Sequence, residues 1–195
     1  MFHETWACTI LRPARFRLYP DRKWYVFLET DTFLFWSTTL KYLSTLDHTM
    51  PLVLGHRSTV RSEFPFMHGG SAYIVSNTAM RLAVEYIVGN RDKLDAFVEA
   101  EWAGDIALGV VFKDAGVPLI STWPMYQPHF FGVIDFGVTY EGKDFWCAPA
   151  GSYHHMTPEA IQDMWLYEQY WIRQEDVVSS KLSSENHGAV YANGY

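Results

Sequence analysis

The chain has 195 residues, 49% hydrophobic and 19% charged, which supports a buried core and excludes global disorder. Fifteen basic against 22 acidic residues leave a net charge of −7, so a nucleic-acid partner is not expected. The 13 Phe, 8 Trp and 12 Tyr amount to 17% aromatics, side chains that fill cores and also line sugar and nucleoside pockets.

No apolar run approaches the length of a membrane span, and Met1 to Thr5 lack the basic stretch and apolar run of a signal peptide. Cys8 and Cys147 allow at most one intrachain disulfide. In chain order, Trp24 to Leu28 reads as a buried strand ending at Glu29-Thr30-Asp31-Thr32. Phe33, Trp36, Leu40, Leu43 and Leu46 recur at helical spacing behind Thr32 as N-cap, and Pro51 closes that unit. Leu52 to Gly55 is a second strand; Phe66 to Ser71 is a glycine-paired segment feeding a third, Ala72 to Val75.

Ser76 or Asn77 caps a helix running to about Val88, stopped by Gly89-Asn90, and a further helix covers about Arg91 to Glu101. Gly104-Asp105 opens a helix from Ile106 to Ala115, ended by Gly116 and Pro118. The stretch from Leu119 to Tyr140 reads as loop with short strands. Thr157-Pro158 starts a helix to about Arg173, and from Val178 the Ser, Asn and Gly content suggests a loose tail. Strands alternating with helices give the α/β class.

Three spots can carry chemistry. Glu29 and Asp31 share a side of the extended chain at a strand's carboxyl end, able to hold one hard divalent cation or simply to be solvated. Asp105 is either a helix N-cap or a general base. In Tyr153-His154-His155-Met156, adjacent side chains diverge on a strand, so one imidazole joined by Asp31 is a sensible metal set, and a packed surface histidine the plain alternative. Gly69-Gly70 permits close ligand approach. Phosphate loops, a nucleophile elbow and paired Cys-x-x-Cys motifs are absent from the sequence.

Four segments in this order, Lys23–Thr32, His68–Ser76, Gly104–Gly109 and Tyr153–Met156, resemble glycosyltransferase family 31. This is the fringe-like and core-1 β1,3-galactosyltransferase group, and the likeness is closest to its fungal members. The resemblance implies a GT-A-like, Rossmann-like fold, Mn²⁺, and inverting transfer of a galactose- or N-acetylglucosamine-type hexose from a UDP-sugar donor to a glycan or glycoprotein acceptor. It implies Asp31 and His154 as metal ligands (His155 as the fallback) and Asp105 as the base. Glu29, Thr30, Gly69, Gly70 and Trp102 fall among donor- and acceptor-binding positions, with Trp123 and Tyr126 as further stacking candidates. Thr30 stands where animal relatives commonly carry a second Asp.

With only 28 residues ahead of Glu29, the resemblance implies the C-terminal portion of such a domain over 1–178, a flexible tail over 179–195, and a Golgi or secretory setting. Two other readings stand beside it: an inactive glycan- or partner-binding remnant, and a metal-dependent hydrolase built on Asp31, Asp105 and His154.

Overall fold

The structure, a computed structural model, describes residues 13–60, 64–100, 103–140 and 142–189. It divides into two compact units, Met1–Met156 and Thr157–Tyr195, each taken by itself here. The first unit runs α1 (Pro13–Leu18), β1 (Trp24–Phe27), β2 (Phe33–Leu34), α2 (Trp36–Ser44), β3 (Val53–Gly55), β4 (Arg57–Val60) and β5 (Phe64–Met67). After a 3₁₀ turn (Gly69–Ser71) come β6 (Tyr73–Ser76), α3 (Asn77–Gly89), α4 (Arg91–Ala100), α5 (Gly104–Asp114) and β7 (Leu119–Ser121). Short pieces β8 (Thr139–Tyr140), β9 (Lys143–Asp144) and β10 (Ser152–Tyr153) follow, and the second unit holds α6 (Pro158–Ala189).

Four strands form a mixed sheet in the order β1-β6-β3-β7, with β6 antiparallel to both β1 and β3, and β7 parallel to β3. The architecture is mixed α/β, in keeping with the expected class. Side chains alternate across a strand, and both faces of this sheet are covered. Val53, Tyr73 and Val75 face a core completed by Met80, Ala83, Leu108 and Phe112. Leu54, Ala72 and Ile74 face a second core with Leu34, Leu43 and Tyr126. Burial on both sides is why β3 and β6 read as unbroken apolar runs. Strand β1 lies at one end of the sheet order and is only half-buried, with β6 its one sheet neighbour among the described residues.

Ser76 ties these layers together. Its Oγ accepts from the Ala79 amide at 3.2 Å as the N-cap of α3, accepts from Leu52 N, and donates to Met50 O. In the second unit Thr157 Oγ1 accepts from Ala160 N at 3.2 Å, with Pro158 at the first helical position.

The structure departs from the sequence expectation at three places. Phe33-Leu34 is a strand rather than a first helical turn, and α2 begins at Trp36. Phe33, Leu34 and Phe35 are buried in succession, and pairing of β2 with β10 outweighs the helical spacing. Trp36 and Leu40 accordingly lie exposed, and Thr32 caps nothing: its Oγ1 donates to Gly70 O at 2.7 Å. The last helix continues past Arg173 to Ala189, into the stretch read as tail. Tyr126 is fully buried, its hydroxyl donating to Thr39 Oγ1 at 3.3 Å, so it packs the core and meets no acceptor ring. Cys147 is an exposed free thiol, while Cys8 and Trp102 lie outside the described residues. Among the described residues no helix is long and apolar enough to cross a membrane.

Candidate metal centre

The acidic pair sits on the turn that leaves β1, closed by Thr32 N donating to Glu29 O at 3.2 Å. Across from it, the register of β10 on β2 pairs Tyr153 with Phe33, and Met156 N donates to Asp31 O at 2.9 Å. Backbone pairing on both flanks therefore fixes His154 opposite Asp31. His154 is buried, with its Nδ1 3.3 Å from the carbonyl of Pro128. A carbonyl can only accept, so a proton on Nδ1 satisfies this contact and Nε2 points the other way.

Nε2 faces two carboxylates, Asp31 Oδ1 at 3.4 Å and Glu29 Oε2 at 3.5 Å. Three electron-rich atoms at such distances repel one another unless a proton or a cation stands between them. His155 joins the group, its Nδ1 3.8 Å from Asp31 Oδ2. The two imidazoles stack with centroids 3.8 Å apart, against the divergence expected of strand neighbours. The reason is local: His155 adopts φ 56°, so the chain has left the strand by that residue. One donor atom each from Asp31, His154 and His155 lie within 4.8 Å of one another. A mixed oxygen and imidazole set fits Mn²⁺ and other first-row divalent ions.

Glycine makes the room. A Cβ on Gly70 would stand 2.1 Å from His154 Cε1 and 2.3 Å from Nε2, so the ring occupies the space a side chain would take. A Cβ on Gly69 would meet Glu29 Oε1 at 2.9 Å, with Asp105 Cβ 4.0 Å away on its other side. Asp105 Oδ2 accepts from Gly69 N at 3.3 Å and Oδ1 from Ile106 N at 2.9 Å. The N-cap of α5 is Ala103, without a side-chain cap, so Asp105 is not the cap that its position suggested. Glu29, Asp31, Gly69, Gly70, Asp105 and His154 thus converge, and Thr30 lies exposed on the same turn.

Two further groups stand close by. Burial first, then the negative charges of Asp105 and Glu29, push the Tyr73 hydroxyl far above its ordinary range, so it remains a proton donor. Among the described residues it has no hydrogen-bond partner, and in sequence it reads as plain strand core. Behind His154, His68 accepts from Ser71 N at 3.2 Å through Nδ1, with its ring centroid 5.5 Å from that of His154 and 6.2 Å from that of His56.

Burial and then His68 push His56 down to about 4, and burial and then His154 lower His68 as well. A lowered imidazole pKa means the unfolded chain binds more protons than the folded one. Stability is therefore complete above about pH 6.5 and falls as the pH drops toward 4, with His56 alone contributing about 3 kcal/mol to the loss. Urea unfolding at pH 7 and pH 4.5 checks this. His56→Leu loses less stability across the window than the parent, and an equal loss in both removes the assignment.

The chain matches no known protein-family model and no curated protein.

Proposed function

We propose that this chain carries the metal centre of a Mn²⁺-dependent inverting glycosyltransferase with a GT-A-like fold. It moves a galactose- or N-acetylglucosamine-type hexose from a UDP-sugar to a hydroxyl of a glycan or glycoprotein, in β1,3 linkage and in a Golgi or secretory setting. One observation carries the reading. His154 Nε2 lies 3.4 Å from Asp31 and 3.5 Å from Glu29, with Asp105 bonded to the neighbouring Gly69 amide at 3.3 Å. Segments far apart in the chain supply ligands, floor and base at a single point.

Asp31 and His154 would hold the cation, with Glu29 and His155 within reach. Bound there, Mn²⁺ supplies positive charge against the growing negative charge of a diphosphate leaving group. The remaining steps belong to this chain's own residues. Pro128 orients His154 through Nδ1 and so turns Nε2 toward the two carboxylates, the atom that would ligate the cation. Asp105 takes the proton of the acceptor hydroxyl as that oxygen attacks the anomeric carbon from the face opposite the diphosphate. The Gly69 N–H holds one carboxylate oxygen of Asp105 and so fixes its direction. The absence of side chains at Gly69 and Gly70 leaves the room in which the Glu29 carboxylate and the His154 ring sit. Thr30, exposed between the two carboxylates, offers a hydroxyl to the donor.

Calorimetric titration of UDP with and without Mn²⁺ tests the reading. Mn²⁺ is expected to raise UDP affinity by about tenfold or more, because a cation held by Asp31 and His154 would supply positive charge to the diphosphate. Asp31→Ala abolishes that gain. Metal-independent UDP binding, or none at all, rejects the transferase; oligosaccharide binding without UDP affinity turns the protein into a glycan-binding module.

A further inference from the structure

A cavity of about 350 Å³ opens in the first unit, within the size range of small-molecule sites. Trp123 and Phe145 form one wall, in edge-to-face contact with centroids 4.7 Å apart. Aliphatic side chains, among them Ile134 and Val138, form much of the rest. Such a lining matches the face of a flat apolar ring. It suits a bare sugar poorly, because aliphatic groups leave desolvated hydroxyls without partners.

The polar part of the wall fixes the charge of the occupant. Among the described residues neither lysine nor arginine lines the cavity, one carboxylate does (Asp135), and the imidazoles of His56 and His129 with the amide of Gln127 make up the rest of the polar side. Burial holds His56 neutral well below pH 7. An anion entering here would lose its hydration and meet a carboxylate, with no fixed cation among the described lining residues to offset it. A hydroxyl, by contrast, finds imidazole and carboxylate partners.

The cavity also shares a wall with the metal centre. Pro128 lines it, and the Pro128 carbonyl is the group 3.3 Å from His154 Nδ1. His129 lines it too, and its carbonyl accepts from His154 N at 3.2 Å. An occupant thus rests against the segment that orients a candidate metal ligand.

We infer that this cavity binds a neutral small molecule built on one aromatic ring that bears a hydroxyl group. The site stands independently of the transferase reading, and its test uses neither nucleotide nor metal. The full chain, labelled with ¹³C at Ile and Val methyls, is titrated at pH 8 with p-cresol, 4-methylbenzoate and glucose. p-Cresol shifts the Ile134 and Val138 methyls saturably and binds at least about tenfold tighter than 4-methylbenzoate, the same ring carrying a charge. Glucose leaves those methyls unmoved.

Val133 lines the rim and is 73% exposed, so Val133→Trp fills the opening without disturbing the core and weakens p-cresol binding about tenfold or more. Val138→Trp is the second blocking variant, and circular dichroism confirms that each is folded. N-acetyltyrosinamide separates two sources of the same ring: weaker binding than p-cresol assigns a free small molecule, and equal binding assigns a tyrosine side chain of a peptide. The inference is overturned if p-cresol causes no saturable shift, if 4-methylbenzoate or glucose binds as tightly, or if folded blocking variants bind p-cresol unchanged.

Discussion

Asp105→Asn is expected to slow UDP-sugar turnover by about 10²- to 10⁴-fold, the range for losing a general base, while UDP affinity stays within about twofold. Asparagine keeps the size of the side chain and one acceptor oxygen, enough for the Ile106 amide that Oδ1 now accepts from, while its NH2 replaces the Oδ2 that accepts from the Gly69 amide. The start of α5 therefore keeps its partner, one bond to the glycine loop is lost, and the capacity to take a proton disappears. A purely structural Asp105 predicts something different. Ala103 occupies the N-cap, so Asp105 serves the helix through its bond to the Ile106 amide and as an acidic residue in the first turn, the latter a favourable placement worth about 0.3–1 kcal/mol. Its loss would shift the urea midpoint slightly and leave turnover alone. Release of UDP from UDP-galactose and UDP-N-acetylglucosamine, measured beside the unfolding curve, separates the two. Turnover within a few-fold of the parent assigns Asp105 to the helix and leaves the transfer without a base.

The residues that organise this site differ in how far the sequence exposes them. Ser76 is legible as a helix cap because the signal is local: a hydroxyl residue before a helical pattern, bonded to the amide of Ala79. The strands at Val53–Gly55 and Tyr73–Ser76 are legible for a related reason, since double-sided burial leaves them apolar without interruption. The pairing of Phe33-Leu34 with Ser152-Tyr153 is not legible, because each partner is short and the other lies far along the chain. It overrides a helical spacing that looked sufficient by itself. His155 fails for another reason. Side-chain direction follows from φ and ψ, and a left-handed histidine announces itself in no pattern of neighbours. Acidic turn, glycine pair and histidine can each be picked out, but their meeting depends on tertiary packing.

The glycine pair carries the clearest test of that packing. Gly70→Ala is expected to weaken Mn²⁺ binding by about a hundredfold, the upper range for disturbing the support of a metal ligand, and to destabilise the fold by about 1–3 kcal/mol. The added Cβ would fall 2.1 Å from Cε1 and 2.5 Å from Nδ1 of His154, and no real Cβ tolerates that. Neither partner can yield cheaply. The Gly70 carbonyl is held by Thr32 Oγ1 at 2.7 Å. His154 is held by its amide on the carbonyl of His129 and by the β10–β2 pairing that precedes it. The ring must therefore swing out of its slot, losing Pro128 at Nδ1 and Asp31 at Nε2 together. Gly89→Ala is the matched control: a Cβ there meets nothing within 4 Å, and the same methyl should leave metal affinity and stability essentially unchanged. Mn²⁺ titration followed by electron paramagnetic resonance reads the affinity, and urea unfolding reads the fold. If Gly70→Ala binds Mn²⁺ as tightly as Gly89→Ala does, His154 is not a ligand, and the metal centre must be rebuilt on Asp31, Glu29 and His155 alone.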